Sequence, residues 1–145
     1  MKLRISAELF RRIAQHGETS YPHEGAGVLF GSVHNKWIEV EDLMTLPNTF
    51  DERQRHRRYM IDAQGMMEAE LAAEGLDLEV VGIFHSHPDH PAQPSKYDLE
   101  HSLPWYAYII TSIDAGEAHN SRAWRLQEDR EAFMEIELFI AQSEV

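Results

Sequence analysis

The sequence contains no cysteine among its 145 residues. Disulfide bonds, thiol nucleophiles and cysteine-ligated zinc are therefore excluded. The chain does have 9 histidines and 25 acidic residues. Any metal site must therefore be built from imidazole and carboxylate ligands.

Long uninterrupted apolar segments are also missing. No apolar run approaches the roughly 20 residues that a helix needs to cross a bilayer. The start of the chain, MKLRISAELFRR, has no apolar stretch of the secretory type. We therefore expect a cytoplasmic protein that does not bind membranes.

Positive charge is scarce, with 13 Lys and Arg against 25 Asp and Glu and a net charge of −12. Because this charge repels nucleic-acid phosphates, we expect no nucleic-acid partner. Arginines nevertheless cluster in RQRHRR, residues 53–58. This arginine loop is either a solvated loop or a docking patch for an acidic partner, and the sequence leaves both interpretations open.

The remaining composition is typical of an ordered protein, with 43% hydrophobic and 26% charged residues. A chain of this length can bury roughly two-thirds of the surface that its unfolded form exposes. It has no internal repeat and no low-complexity segment. We expect a single domain over residues 1–145, and the pattern does not predict its oligomeric state.

Hydrophobic patterning predicts both strands and helices. Predicted strands cover residues 2–6, 25–33, 36–46, 79–87, 106–112 and 121–126. Predicted helices are one capped by Ser6 that ends at about His16 with Gly17 beyond it, one capped by Asp62 over residues 63–74, a helical turn opened by Ser95, and a C-terminal amphipathic helix, EDREAFMEIELFIAQ, over residues 128–142. Because these elements mix without regular βαβ alternation, they predict an α+β fold, a mixed α/β sheet flanked by helices.

Two histidines near the end of the predicted strand over residues 79–87 are candidate metal ligands. His85 and His87 are two residues apart, so on a strand both side chains point to the same side and both can reach one ion. Pro88 follows, cannot donate to a continuing sheet ladder, and should end the strand at an edge or cleft. By this pattern alone, two solvent-exposed histidines are an equally good interpretation.

The Ser95-Lys96-Tyr97-Asp98 segment also has two interpretations. A Ser-x-x-Asp pair at a helix start forms a capping box without any metal. The helix dipole also favours the charged carboxylate, which suits a cation ligand. If Asp98 is the third ligand, two imidazoles and one carboxylate leave the fourth tetrahedral position for water, as in catalytic zinc sites.

Glu24, in YPHEGAGVLFG, is the candidate proton acceptor for such a water. From the sequence alone, a surface carboxylate is the more common interpretation of one acidic residue among 25. His23, His90 and His101 are lesser ligand candidates, and His90 is expected in a solvent-facing loop.

Together these residues resemble a known motif. Glu24, then His85-Ser86-His87-Pro88, then Ser95 and Asp98 fill every position of the JAMM motif of the MPN-plus metalloprotease family. The resemblance extends to PHEGAGVLFG, to LPN and to the segments AYIITS and RAWRL, so it covers most of the chain. The chain is similar to small stand-alone prokaryotic members, which implies an MPN/JAMM-like, cytidine-deaminase-like architecture.

The resemblance implies a role for each motif residue. It implies one zinc ion per chain held by His85, His87 and Asp98, with Glu24 activating the water and Ser95 stabilising the oxyanion. At Ala26, where many relatives have cysteine, the chain departs from the family. Since that position is not a ligand, we expect a difference in packing and no loss of activity.

The family resemblance further implies a metalloprotease or isopeptidase. Its expected substrate is a ubiquitin-like or sulfur-carrier protein, cleaved after the C-terminal Gly-Gly. Two alternatives stay open: a non-catalytic MPN-type scaffold, and a non-haem iron oxygenase, whose facial triad also has two histidines and one carboxylate. Neither the substrate's identity nor the choice between peptide and isopeptide bonds follows from the sequence.

Overall fold

The computed structural model describes residues 1–142, which form seven strands, three α-helices and a short 3₁₀ turn at Glu52–Gln54. The strands are β1 (Lys2–Ser6), β2 (Ala26–His34), β3 (Trp37–Leu46), β4 (Glu79–Pro88), β5 (Ala107–Asp114), β6 (Glu117–Leu126) and β7 (Phe133–Ala141). The helices are α1 (Ala7–Ser20), α2 (Ala63–Gly75) and α3 (Lys96–His101).

All seven strands of this range belong to one sheet, in the order β1-β3-β2-β4-β5-β6-β7, which closes on itself like a barrel. β1 closes it by pairing in parallel with both β3 and β7, so Leu3 lies beside Ile38 and Leu138. β4 and β5 are also parallel, whereas the other pairs are antiparallel. The predicted mixed sheet is confirmed, although the sheet dominates and carries few helices. Its closure was not predicted, and the cytidine-deaminase-like architecture stays a prediction.

Two hydrophobic clusters lie on opposite faces of β2. Leu29 belongs to the main core with Ile13 of α1, whereas Val28 and Phe30 pack against Ala69 of α2. Because neighbouring strand residues point to opposite faces, one strand can be buried on both sides. The fully apolar segment VLF in β2 reflects this double burial.

Helix α1 begins as predicted but ends later. The Ser6 hydroxyl accepts a hydrogen bond from Leu9 N at 3.1 Å, which confirms the N-cap. The predicted end at about His16 is wrong, because the helix continues through Gly17 to Ser20. A Cβ at Gly17 would lie 2.8 Å from Ile113 Cδ1 and 3.2 Å from Ser86 Cβ. Gly17 therefore serves the close approach of the helix to β4 and β5, and does not terminate it.

The predicted C-terminal helix over residues 128–142 is wrong, because this segment contains strand β7. Phe133, Ile136 and Ile140 have helical spacing, but Ile136, Leu138 and Ile140 alternate equally well with a strand period. Ile136 is buried, and Leu138 and Ile140 pack on the main core. Pairing of this segment with β1 closes the sheet, and this favours a strand over a helix.

None of the helices within residues 1–142 combines the length and the apolar composition needed to cross a bilayer. The single-domain boundary and the cytoplasmic location stay predictions.

Two glycine substitutions test how tightly β4 is packed. An added Cβ at Gly82 would overlap the carbonyl oxygen of Ala107 in β5, whereas one at Gly75 meets nothing within 4 Å. We expect Gly82→Ala to lower the free energy of unfolding by about 1–3 kcal/mol. Gly75→Ala should leave it unchanged or raise it by up to about 1 kcal/mol. Urea unfolding followed by tryptophan fluorescence measures both, and equal effects would contradict the packing described.

Candidate metal centre

His85 and His87 lie side by side at the end of β4. β4 pairs with β2 on one side and β5 on the other, and Pro88 is its last residue, as predicted. The two imidazole centroids are 5.1 Å apart. Both residues are buried, with 1% and 5% of their surface exposed, so the interpretation as solvent-exposed histidines is wrong.

Asp98 approaches both imidazoles from the first turn of α3. Its Oδ1 lies 3.2 Å from His85 Nε2 and its Oδ2 lies 3.1 Å from His87 Nε2. The predicted capping box is also present: Ser95 N donates to Asp98 Oδ2 and Asp98 N donates to the Ser95 hydroxyl. Capping the helix and facing the histidines are thus simultaneous roles of one carboxylate.

Glu24 lies two residues before the start of β2 and is 4% exposed, so it is not a surface carboxylate. The register of β2 against β4 places Ala26 beside His85. Ser86 strengthens this pairing, because its hydroxyl accepts from Gly25 N at 2.8 Å and its own N donates to Gly25 O at 3.0 Å. A strand pair therefore brings Glu24 to the histidines across about 60 residues of sequence.

One ligand atom from each of Glu24, His85 and His87 lies within 4.8 Å of the other two. His87 Nδ1 lies 2.9 Å from the Pro91 carbonyl. Because a carbonyl can only accept, it assigns the ring proton to Nδ1 and directs Nε2 toward Asp98. Such orientation by a carbonyl is common for histidines that bind metals.

Burial and mutual charge shift the pKa values of all four groups. Burial raises the pKa of Glu24 to about 8, with His87 opposing and Asp98 adding to the shift. Burial also lowers the pKa of His85. Burial alone would lower the pKa of His87, but the hydrogen bond to Asp98 and the charges of Glu24 and Asp98 outweigh it and raise this pKa. Burial alone would raise the pKa of Asp98, but its interactions with His85 and then His87 outweigh it and hold this pKa well below its usual range.

Several polar atoms of this cluster lack a hydrogen-bond partner within residues 1–142: Glu24 Oε1, His85 Nδ1 and His85 Nε2. His85 Nε2 is near Asp98 Oδ1, but the two atoms are not in hydrogen-bond geometry. Leaving buried polar atoms unpaired costs about 1–3 kcal/mol each. Two imidazoles and two carboxylates with orphaned atoms fit a divalent cation with nitrogen and oxygen ligands such as zinc.

Tyr59 was not predicted as a site residue, yet its ring stacks on His85 with a centroid distance of 4.3 Å and an interplanar angle of 24°. The Tyr97 hydroxyl donates to the Tyr59 carbonyl at 3.0 Å. The stacked Tyr59 ring covers one face of the His85 imidazole. No local sequence pattern predicts the contact between Tyr59 and His85, because Tyr59 lies in an irregular segment after the arginine loop.

Asn48 is a second residue whose role sequence analysis missed. Its side-chain nitrogen donates to Glu24 O at 2.9 Å and Arg58 O at 3.0 Å, and its oxygen accepts from Phe50 N and Met60 N. An amide has two donor hydrogens and two acceptor lone pairs, so its capacity is filled. The only sequence signal for this role was the LPN segment. Its asparagine links the backbone of the arginine loop to that of Glu24.

A cavity of about 370 Å³ opens beside the cluster. Its wall contains Glu24, His87 and Ser95 together with three cationic side chains, Arg57, Arg58 and Lys96. Two residues of the arginine loop therefore line this cavity, and a role of the loop in docking an acidic partner stays a prediction.

The lesser histidine candidates stand outside the cluster. His90 is exposed on the rim of this cavity, in agreement with its expected loop position. His101 lies on α3, where its ring stacks on Tyr97 with a centroid distance of 4.1 Å. His23 lines a second cavity of about 240 Å³, to which Glu24 also contributes.

Comparison with known proteins identifies related sequences. Residues 6–127 match the family described as prokaryotic homologs of the JAB domain. A probable TtuB-protein conjugate cleaving protease of Thermus thermophilus is 30% identical over 79% of this chain and 70% of its own length. A desampylase of Pyrococcus furiosus is 35% identical over 72% of this chain and 68% of its own. A CysO-cysteine peptidase of Mycobacterium tuberculosis is 29% identical over 84% and 81%.

Solved structures share the fold. A protein from Salinibacter ruber is 38% identical, with a TM-score of 0.74 over 97% of this chain and 91% of that one. A JAB1/MPN domain protein from Archaeoglobus fulgidus is 20% identical, with a TM-score of 0.55 over 96% of this chain and 99% of that one. The latter likeness concerns the fold alone.

The raised pKa of Glu24 predicts how the metal-free protein responds to pH. Folding raises this pKa from 4.5 to about 8, so its contribution to stability is complete below about pH 4.5 and is lost as the pH rises through about 8. Glu24→Gln removes the titration. Between about pH 5 and pH 9, the parent should lose about 2 kcal/mol or more of unfolding free energy relative to Glu24→Gln.

Urea unfolding of both proteins after chelator treatment measures this difference at each pH. A difference between parent and variant that stays constant across the range would contradict the buried, protonated state of Glu24.

Proposed function

Because the chain belongs to the family of prokaryotic JAB-domain homologues, we propose that it is a zinc-dependent hydrolase. Its substrate is a ubiquitin-like or sulfur-carrier protein, and it cleaves the peptide or isopeptide bond after the C-terminal Gly-Gly. The relatives named as a TtuB-conjugate protease, a desampylase and a CysO-cysteine peptidase support the hydrolase class and this kind of partner. The single observation that carries the proposal is the buried cluster of two imidazoles and two carboxylates.

We assign His85, His87 and Asp98 as the zinc ligands. Both Asp98 oxygens face an imidazole Nε2, and the neighbouring imidazoles favour the charged carboxylate, as its lowered pKa indicates. Glu24 also lies within reach of the histidines, but burial favours its protonated form. That difference in pKa supports Asp98 as ligand and Glu24 as the proton carrier.

When bound at this position, zinc supplies Lewis-acid chemistry that polarises the substrate carbonyl and makes a water molecule more acidic. The donor set of nitrogen and oxygen atoms suits zinc, and three protein ligands leave a position open for solvent or substrate.

Glu24 carries the proton. Its Oε1 has no hydrogen-bond partner within residues 1–142, so it is free to accept the proton of the attacking water. It then donates that proton to the leaving nitrogen. Burial raises the pKa of Glu24 to about 8 in the metal-free protein, and the positive charge of a bound zinc would lower it toward neutrality. The group could then accept a proton and return it near neutral pH, as a group that alternates between base and acid requires.

Ser95 stabilises the substrate oxyanion. Its hydroxyl oxygen accepts from Asp98 N, which leaves the hydroxyl hydrogen available to donate to the carbonyl oxygen. The hydroxyl is on the wall of the 370 Å³ cavity, together with Glu24 and His87. The helix cap holds Ser95 in place before the substrate arrives, as electrostatic stabilisation of a transition state requires.

The carrier tail binds in the same cavity. An extended tail adds main-chain hydrogen bonds, and the missing side chains of Gly-Gly allow it to pass close to the cluster. A non-catalytic scaffold would not need an open position at a metal, or a buried carboxylate with an unpaired oxygen. The site therefore supports the enzyme over the scaffold.

Three substitutions separate metal binding from proton transfer. His85→Ala removes a ligand and should abolish both zinc binding and cleavage. Glu24→Gln preserves the side chain's size and should retain close to one zinc per chain, while cleavage falls by roughly a hundredfold or more. Ser95→Ala should retain zinc and cleave more slowly than the parent, because only an oxyanion donor is lost. Metal content by plasma mass spectrometry and cleavage of a carrier extended beyond its Gly-Gly measure the two properties.

Asp98→Asn is the matched control for Glu24→Gln, since it makes the same chemical change at the other carboxylate. It should lose zinc, whereas Glu24→Gln keeps it. The opposite pattern would exchange the two roles. Parent protein that purifies with iron and turns over only with oxygen, or that binds no metal, would refute the zinc hydrolase.

A further inference from the structure

Eight of the 13 Lys and Arg residues form no ion pair with a carboxylate within residues 1–142, and three of these eight lie together on the cavity wall. Five other basic residues each pair with a carboxylate within 4.0 Å: Lys2, Arg4, Arg12, Arg53 and Arg122. Arg57, Arg58 and Lys96 have no such pair within residues 1–142, although the chain contains 25 acidic residues. Their clustering without carboxylates stands out in a protein of net charge −12.

Arg58 is held in position by contacts that leave its donors free. Its guanidinium carbon lies 5.3 Å from the Tyr97 ring centroid and 5.9 Å from that of Phe50. These two rings pack edge to face at 5.7 Å. The backbone is also fixed, since its N donates to Gln54 O and its O accepts from Asn48. Stacking on aromatic rings orients a guanidinium without using its N–H donors, so Arg58 is preorganised for a planar anion.

The position of this cationic group relates it directly to the reacting groups. Lys96 follows Ser95 in the chain, and all three cations share the cavity wall with Glu24 and His87. Glu24 is the single acidic side chain on that wall within the described residues, so the three cations outnumber it. The wall beside the cluster is therefore net positive.

We propose that Arg57, Arg58 and Lys96 form a binding site for a carboxylate of the substrate polypeptide, located within the few residues that flank the cleaved bond. This inference rests on the proposed function, and it specifies the substrate further. The carboxylate belongs either to an acidic side chain of the tail or to the free C-terminus of a short leaving segment. Arg58 binds it through paired N–H donors, and the other two cations add charge.

The neighbouring arginines have different roles. Arg53 pairs with Asp51 on the exposed loop surface, and Arg55 Nε donates to Phe50 O at 2.7 Å. These contacts stabilise the loop. Only the second half of the arginine loop faces the cavity, which explains why the cluster as a whole could not be interpreted from its composition.

Binding to peptides tests the site without relying on turnover. The probes are dye-labelled peptides that contain Gly-Gly followed by two alanines, in the Glu24→Gln background so that they stay uncleaved. One form is neutral with an amidated C-terminus, a second has glutamates before Gly-Gly, and a third has a free C-terminal carboxylate. Fluorescence anisotropy should show that at least one acidic form binds more tightly than the neutral form, and the preferred form identifies the source of the carboxylate.

Substitutions then assign the effect. Arg58→Gln should weaken binding of the preferred acidic peptide by about tenfold, with little effect on the neutral one. Arg53→Gln is the matched control and should bind like its parent. Lys96→Gln on the exposed start of α3 is a second variant in case Arg58→Gln alters folding. Added salt should reduce the preference.

Two results would overturn the inference: equal affinity for neutral and acidic peptides, or an acidic preference unchanged in both variants. The proposed function fails separately. If the active parent cleaves neutral and acidic tails with equal kcat/KM, the carboxylate site is refuted and the hydrolase stands. If no peptide is cleaved by the zinc-loaded parent but the charge-dependent binding persists, the carboxylate site stands and the proposed function fails.

Discussion

The burial of four ionisable side chains in one cluster is the constraint on which the rest of the structure depends. Glu24, His85, His87 and Asp98 are each no more than 5% exposed. Two carboxylates cannot be buried together as charged groups unless positive charge accompanies them. In the metal-free protein, burial favours the neutral form of Glu24 and the raised pKa of His87 favours an imidazolium beside Asp98, whereas a cation between the ligands would supply positive charge directly. The shifted pKa values are the measurable sign of this constraint.

The surrounding fold holds these groups in place mainly through the backbone. Ser86 binds both polar groups of Gly25, and Asn48 and Arg55 engage the carbonyl and the N–H of Glu24. These hydrogen bonds hold the backbone of Glu24 beside the histidines. The same hydrogen bonds attach the arginine loop to the site, so the loop that supports Glu24 also supplies part of the cavity wall.

The proposed carboxylate site would give the charge of this wall a role in recognition. With a net charge of −12, the protein as a whole repels an acidic carrier, so attraction must be local. Arg57, Arg58 and Lys96 concentrate positive charge at the cavity. A substrate carboxylate bound there would place the neighbouring bond beside Glu24 and Ser95, which links affinity to the position of the reacting groups.

The sequence by itself determined the local parts of the candidate site. A spacing of two on a strand places His85 and His87 on one side, and a spacing of three at a helix start joins Ser95 to Asp98, because these geometries depend only on backbone periodicity. Tertiary structure decided the rest. Glu24 reaches the histidines through the register of β2 on β4, and Tyr59 reaches His85 from an irregular segment. The residues of β7 satisfy both a helical and a strand period, so only pairing with β6 and β1 selects the strand. Contacts between residues far apart in the chain leave no periodic signal, since they arise from the closure of the sheet and not from the local backbone.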